Sequence, residues 1–289
     1  MDCVNKKILW LADNELENAP GGAQRSDKIL IDKGKLLGLN ILKLNWQTLK
    51  DSKRVFDFDI VISSNLARIN HFYPGIVDEL SVHPFHVRLE HDANGYLSQE
   101  EMVKLFGNCK RTFFLSDYHL KFFKETFGDI FKNTEIVADP IDVSKFYNCD
   151  NEREDKILYS GYMHKGKGSD LFFEYVLQNP DKKFVVSGWS SDHIYMILCQ
   201  NLPNIEFLGQ TKYEDMPKIY NKYKTMFYNP LVKEPFCRSV AEAILCGTKI
   251  LANEQSHKQI GCLSEIAKFG MEEFKKQCNK APSIFWSKI

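Results

Sequence analysis

Lys156-Ile157-Leu158-Tyr159-Ser160-Gly161-Tyr162-Met163-His164-Lys165-Gly166-Lys167-Gly168-Ser169-Asp170 is the stretch that decides the fold. Its apolar opening suits a buried strand. A glycine-rich turn occupies Gly161 to Gly168, and residues 169–177 then read as a helix. Strand, glycine turn and helix in that order make one unit of a parallel sheet. Just before it, residues 148–155 are polar and lack apolar periodicity. A domain boundary is expected there, with an α/β pattern restarting beyond it.

The same alternation extends in both directions. Upstream, residues 8–12, 40–44, 58–62, 85–89, 111–115 and 135–137 read as strands. Helices are expected at 23–37, at 98–106 and in the stretch leading to Phe127. Downstream, strands at 183–187, 205–208, 225–228 and 249–252 alternate with helices at 213–223 and 239–246. The last stretch, 271–289, reads as helix until Pro282. The fold class is α/β, with two Rossmann-like domains in tandem. The expected domains are 1–150 and 151–271, with the C-terminal helix 272–289 joining the first.

Composition narrows the function. The 289 residues are 44% hydrophobic and 26% charged, as in ordinary globular proteins. Lys plus Arg and Asp plus Glu each number 38, so no net charge draws the chain to nucleic acid or membrane. Lys110-Arg111 and Lys182-Lys183 read as solvated faces, and no nucleic-acid partner is expected. Neither half carries G-x-G-x-x-G after its first strand, which argues against a dinucleotide oxidoreductase.

The eight cysteines include Cys3, Cys149 and Cys237 and form no C-x-x-C pair. Neither a zinc site nor a disulfide framework is expected from them. No metal and no cofactor is expected at all. An N-terminus without an apolar signal core and the lack of an 18-residue apolar run give a cytoplasmic expectation. Residues 118–131 combine Leu120, Phe122, Phe123, Phe127 and Phe131 with Lys121, Lys124 and Lys132. That pattern suits an interfacial helix and keeps peripheral contact with the inner membrane face open. A core-facing helix accounts for the aromatics better.

The chemistry concentrates in Glu234-Pro235-Phe236-Cys237-Arg238-Ser239-Val240-Ala241-Glu242, between a strand and a helix. Ligands of such sheets sit beyond the carboxyl ends of the strands. Ionised carboxylates there can accept two sugar hydroxyls. Free N–H groups at the helix start, with Arg238 beside them, suit phosphate. Taken alone, the motif fits equally a structural role, with Glu242 a stabilising acid near a helix N-terminus and Glu234 a solvated loop charge.

The pair Glu234 and Glu242, followed by Ala243 and Gly247, resembles the E-x7-E motif of the retaining glycosyltransferases of family four, which have the GT-B fold. Further segments match in order. Gly161 to Asp170 resembles the family's glycine-to-lysine-glycine turn, and Asn204 to Gly209 its Phe-Leu-Gly strand. Ala138 to Phe146 resembles the segment that closes its first domain. Gly21-Gly22 resembles its first glycine loop, and His91-Asp92 its histidine-aspartate pair.

This resemblance implies two Rossmann-like domains facing each other across a cleft. It implies transfer of a sugar from a nucleoside diphosphate sugar to a hydroxyl acceptor, with retention and without metal. Saccharide, lipid-linked and protein acceptors all stay open. Glu234 would contact the donor sugar, Glu242 the ribose and Lys167 the diphosphate, with Lys165 as the alternative lysine. His91 would face the sugar from the first domain. Gly21, Gly22, Gly188 and Phe236 complete the expected donor site. An epimerase or a non-catalytic nucleotide-sugar-binding protein on the same fold is the competing reading. Two departures stand out. Tyr162 occupies a position where the family usually has arginine, and Cys237 one where glycine is common.

Overall fold

Among the described residues the first half forms six short strands, of which the four inner ones are buried along most of their length, as a parallel sheet covered on both faces requires. They are β1 (Lys7–Leu11), β2 (Asn40–Leu44), β3 (Ile60–Ser63), β4 (His86–Leu89), β5 (Arg111–Phe114) and β6 (Thr134–Ile136). Their order is β2-β1-β3-β4-β5-β6, and every pairing is parallel. The computed structural model describes residues 5–17, 20–93 and 97–289. Cys3 lies outside the described residues.

A second parallel sheet follows in the order β11-β10-β7-β8-β9. Its strands are β7 (Glu154–Tyr162), β8 (Phe184–Trp189), β9 (Ile205–Gly209), β10 (Tyr223–Phe227) and β11 (Lys249–Leu251). In both sheets the first strand in sequence lies inside the sheet, and the order reverses beside it. Such a reversal opens a crevice at the carboxyl ends of the strands.

The chain divides into two compact units. One comprises 1–140 with 276–289, and the other 141–275. The division falls at Pro140 and Ile141, ahead of the polar 148–155 segment.

Strand positions match the sequence reading to within two or three residues at each end. Among the described residues five short helices escaped it: Ala67–Phe72, Ile76–Val82, His193–Asn201, Glu254–His257 and Gly261–Phe269. None is long enough to show a clear period of 3.6. The end of the chain corrects the reading outright. Helix Met271–Ser287 runs through Pro282 rather than stopping there. An interior proline costs about 3 kcal/mol. The residues beyond it offset that cost by packing. Phe285 is fully buried, 4.6 Å from the Phe113 ring and 5.6 Å from Trp10. Trp286 donates its indole N–H to the Leu30 carbonyl at 2.7 Å and lies against Gly34.

Helix Asp117–Phe127 spends its aromatic face on the core. Phe123 and Phe131 join Phe106 and Phe114 in one buried cluster, with Phe122 and Phe127 packed against it. Among the described residues, no helix is long and apolar enough to cross a membrane.

Candidate functional site

Gly161 ends the buried part of β7 and opens the glycine turn. Gly188 lies beside it on β8, where a Cβ would stand 2.0 Å from the Gly161 carbonyl oxygen. Glycine at 188 is therefore a requirement of strand packing. In the turn, His164 accepts the Gly166 N–H on Nδ1 at 3.1 Å. The Gly166 carbonyl in turn accepts the Leu231 N–H at 2.9 Å. Gly168 has φ +75°, and a Cβ there would meet the Asn229 carbonyl oxygen at 1.8 Å. Only glycine satisfies both demands. The turn is thus pressed onto the 229–232 loop, which leads to Glu234.

That contact brings Lys167 to Glu234. The ammonium donates to Oε1 of Glu234, and the Tyr228 hydroxyl donates to the same oxygen at 2.8 Å. Glu234 is buried, and its backbone is clamped by Gln259 and Gly261 at 2.9 Å each. Burial pulls the Lys167 pKa down, and the Glu234 carboxylate more than restores it, so the net shift is upward. The lysine stays charged with about a third of its side chain in solvent. Lys165, two residues earlier, is exposed.

Helix Arg238–Leu245 begins directly after Cys237. Cys237 has φ +69°, a left-handed conformation that costs a non-glycine residue about 1–3 kcal/mol. Burial first, and then the nearby Glu234 charge, push its thiol up to about 11. Glu242 lies in the second turn of the helix rather than the first. Its Oε1 accepts from the Tyr213 hydroxyl at 2.7 Å and from Arg238 Nε at 2.9 Å. Arg238 also donates to the Tyr213 oxygen at 3.3 Å. Both charges of this pair are buried. Arg238 is therefore engaged by Glu242 along the helix. Phe236 does not reach toward solvent either. It is buried and stacks on Phe274, with centroids 5.8 Å apart.

The other expected residues belong to the first unit. Gly21 is the extended residue before helix Gly22–Leu36. The Gly22 carbonyl lies 3.0 Å from the Ser26 hydroxyl, which donates to Asp139 at 2.6 Å. His91 is buried, with Nε2 3.2 Å from Asp27 Oδ1, and Asp27 accepts from the Ser64 hydroxyl at 2.8 Å. Burial lowers the His91 pKa, while Asp27, Asp139 and Asp92 raise it, and the net shift is upward.

Sequence reasoning missed Tyr228, Tyr213, Asp27 and Asp139. No spacing marks them. Tyr228 and Tyr213 reach their carboxylates only through the folded sheet, and Asp27 is hidden inside a helix.

Residues 142–258 match the family model described as "Glycosyl transferases group 1". No curated protein matches the sequence. Solved structures share the fold at low identity. Anabaena HepE in complex with UDP-glucose superimposes with a TM-score of 0.68 at 15% identity, covering 99% of this chain and 100% of that one. Sucrose-phosphate synthase from Thermosynechococcus elongatus gives 0.69 at 11% identity, covering 96% and 93%. A glycosyltransferase from Rickettsia africae gives 0.63 at 12% identity, covering 96% and 92%.

Proposed function

We propose that the chain is a glycosyltransferase of group 1, with the family's domain at residues 142–258, and that the second unit holds a nucleoside diphosphate sugar around Lys167 and Glu234. One observation carries this reading. A lysine on a glycine turn and a buried glutamate, far apart in sequence, meet at the carboxyl edge of the sheet. The likeness to HepE, whose structure contains UDP-glucose, supports the same class of donor.

In the proposed reaction a sugar moves from the diphosphate to an acceptor hydroxyl with retention of configuration. Negative charge grows on the departing diphosphate. Lys167 answers that charge, with exposed Lys165 as a second cation and the start of helix Arg238–Leu245 adding its N–H groups. These cations supply the charge that a divalent metal would otherwise bring. Glu234 releases Lys167 in part and receives donor-sugar hydroxyls. Glu242, held by Arg238 and Tyr213, receives the ribose. Arg238 acts through Glu242 as a positioning residue. Within the first unit, His91, its ring fixed by Asp27, is the candidate catalytic group. That unit takes the acceptor, a saccharide, a lipid-linked sugar or a protein hydroxyl. A cytoplasmic setting belongs to the same reading, in which the scattered cysteines stay reduced.

A metal-free thermal-shift screen against UDP, GDP, ADP, CMP and their sugars tests the donor site. Binding raises apparent stability by mass action. An upward shift with at least one nucleoside diphosphate is expected. No shift with any of them would remove the donor site from this reading.

A further inference from the structure

Tyr162 closes β7 and Trp189 closes β8, and the strand register pairs them side by side. Both therefore stand at the carboxyl edge, where α/β sheets take ligands. Their ring centroids are 4.8 Å apart at 58°. The Tyr162 and Ser191 hydroxyl oxygens are 2.6 Å apart, which fixes the tyrosine ring. Yet Tyr162 is 39% exposed and Trp189 is 45% exposed. Neither ring belongs to the core cluster beneath the sheet.

The next group along is also polar and ordered. The His164 ring lies 5.4 Å from Tyr162, and its Nδ1 holds the Gly166 N–H. That is the turn carrying Lys165 and Lys167. Three chemistries thus lie in strand order across β8, β7 and β10: exposed rings, a cationic glycine turn and a buried carboxylate.

We propose that Tyr162 and Trp189 form a stacking shelf for the nucleobase of the donor. This rests on the donor-site reading above. A planar base stacks on the Trp189 ring, with the Tyr162 ring tilted 58° against its edge, while the diphosphate attached to it reaches the cationic turn. Every base has a π-face, and stacking is therefore tolerant of base identity. The shelf supplies affinity for the nucleoside part without reading hydrogen bonds on the base.

The test titrates UDP, ADP and inorganic pyrophosphate into the full chain, by calorimetry and by tryptophan fluorescence. Trp189→Ala is expected to weaken UDP and ADP about tenfold or more, the usual scale of one stacked base. Pyrophosphate affinity stays at the wild-type level. Trp189→Phe is expected to keep most of the nucleotide affinity and to lose the fluorescence quench expected of the wild type. Equal UDP affinity in wild type and Trp189→Ala overturns the shelf alone. So does a parallel loss of pyrophosphate, which would mean that the turn has been disturbed. A wild type that binds none of the three probes overturns the donor site, and the shelf falls with it. Because Trp189 is exposed, both variants should melt at the wild-type temperature, and that scan accompanies the titrations.

Discussion

Lys167 and Glu234 are separated by 67 positions and meet in one charge-assisted hydrogen bond, with Tyr228 on the same carboxylate oxygen. The pair is asymmetric. Glu234 is buried, whereas Lys167 keeps about a third of its side chain in water. A ligand phosphate can therefore compete for the lysine without unfolding the loop that holds the glutamate.

Substitutions at this pair should separate binding from transfer. Glu234→Gln is expected to abolish sugar transfer while keeping nucleoside diphosphate affinity within a few-fold. Lys167→Ala should weaken both and also leave a buried carboxylate short of a partner, costing about 1–3 kcal/mol of stability. Transfer assays with calorimetry decide it, and wild-type transfer rates in both variants would defeat the assignments.

Arg238 and Glu242 make a different pair, with both side chains buried. Removing one partner of a buried pair costs about 3–5 kcal/mol, because the other charge stays behind. Urea denaturation of Arg238→Ala should show a loss of that size. Tyr213→Phe should lose only about 1 kcal/mol, the worth of one hydrogen bond. An Arg238→Ala variant as stable as wild type would show that the pair holds nothing together.

Backbone geometry sets a further expectation. Gly168→Ala drives a methyl into the Asn229 carbonyl and forces alanine to φ +75°. The left-handed backbone alone costs about 1–3 kcal/mol. Nucleotide affinity should fall with stability, because Lys167 is the neighbouring residue. At Cys237 the ranking reverses. Cys237→Gly should be tolerated, since φ +69° suits glycine, while Cys237→Val should destabilise through its branched Cβ. Melting temperatures of the three variants check this order.

Acid should weaken the first unit through two buried histidines. His119 accepts the Leu115 N–H on Nδ1 at 3.3 Å and donates from Nε2 to the Asp92 carbonyl at 3.1 Å. That tautomer is neutral. Burial first holds its pKa down to about 4, and burial likewise takes His86 to about 3. Below pH 6.5 the unfolded chain binds these protons and the folded chain does not, so stability drops as pH falls toward 4. Each such proton is worth about 1.4 kcal/mol per pH unit. His91 works in the opposite sense. Its raised pKa gives stability that is complete below pH 6.5 and lost as pH rises through the folded value. His119→Gln should remove one proton from the acid slope measured by urea titrations between pH 4 and 6.5. An unchanged slope would contradict the neutral burial of His119.

Much of this protein is written in its sequence. Apolar runs of four or five residues separated by glycine turns specify two parallel sheets, since period and turn chemistry are local properties. The Gly161 to Gly168 turn and the Glu234 to Glu242 spacing mark the candidate site for the same reason. Side-chain partnerships across the fold are not local. Tyr228 on Glu234, Tyr213 on Glu242 and Asp27 on His91 arise because the sheets align residues that the chain separates. The same packing carries the last helix through Pro282, against its local signal, because Phe285 and Trp286 beyond it are buried in the core. It also gives Arg238 to Glu242, leaves Lys167 accessible and sends Phe236 into the core, so only the tertiary structure decides which groups of the motif can meet a ligand.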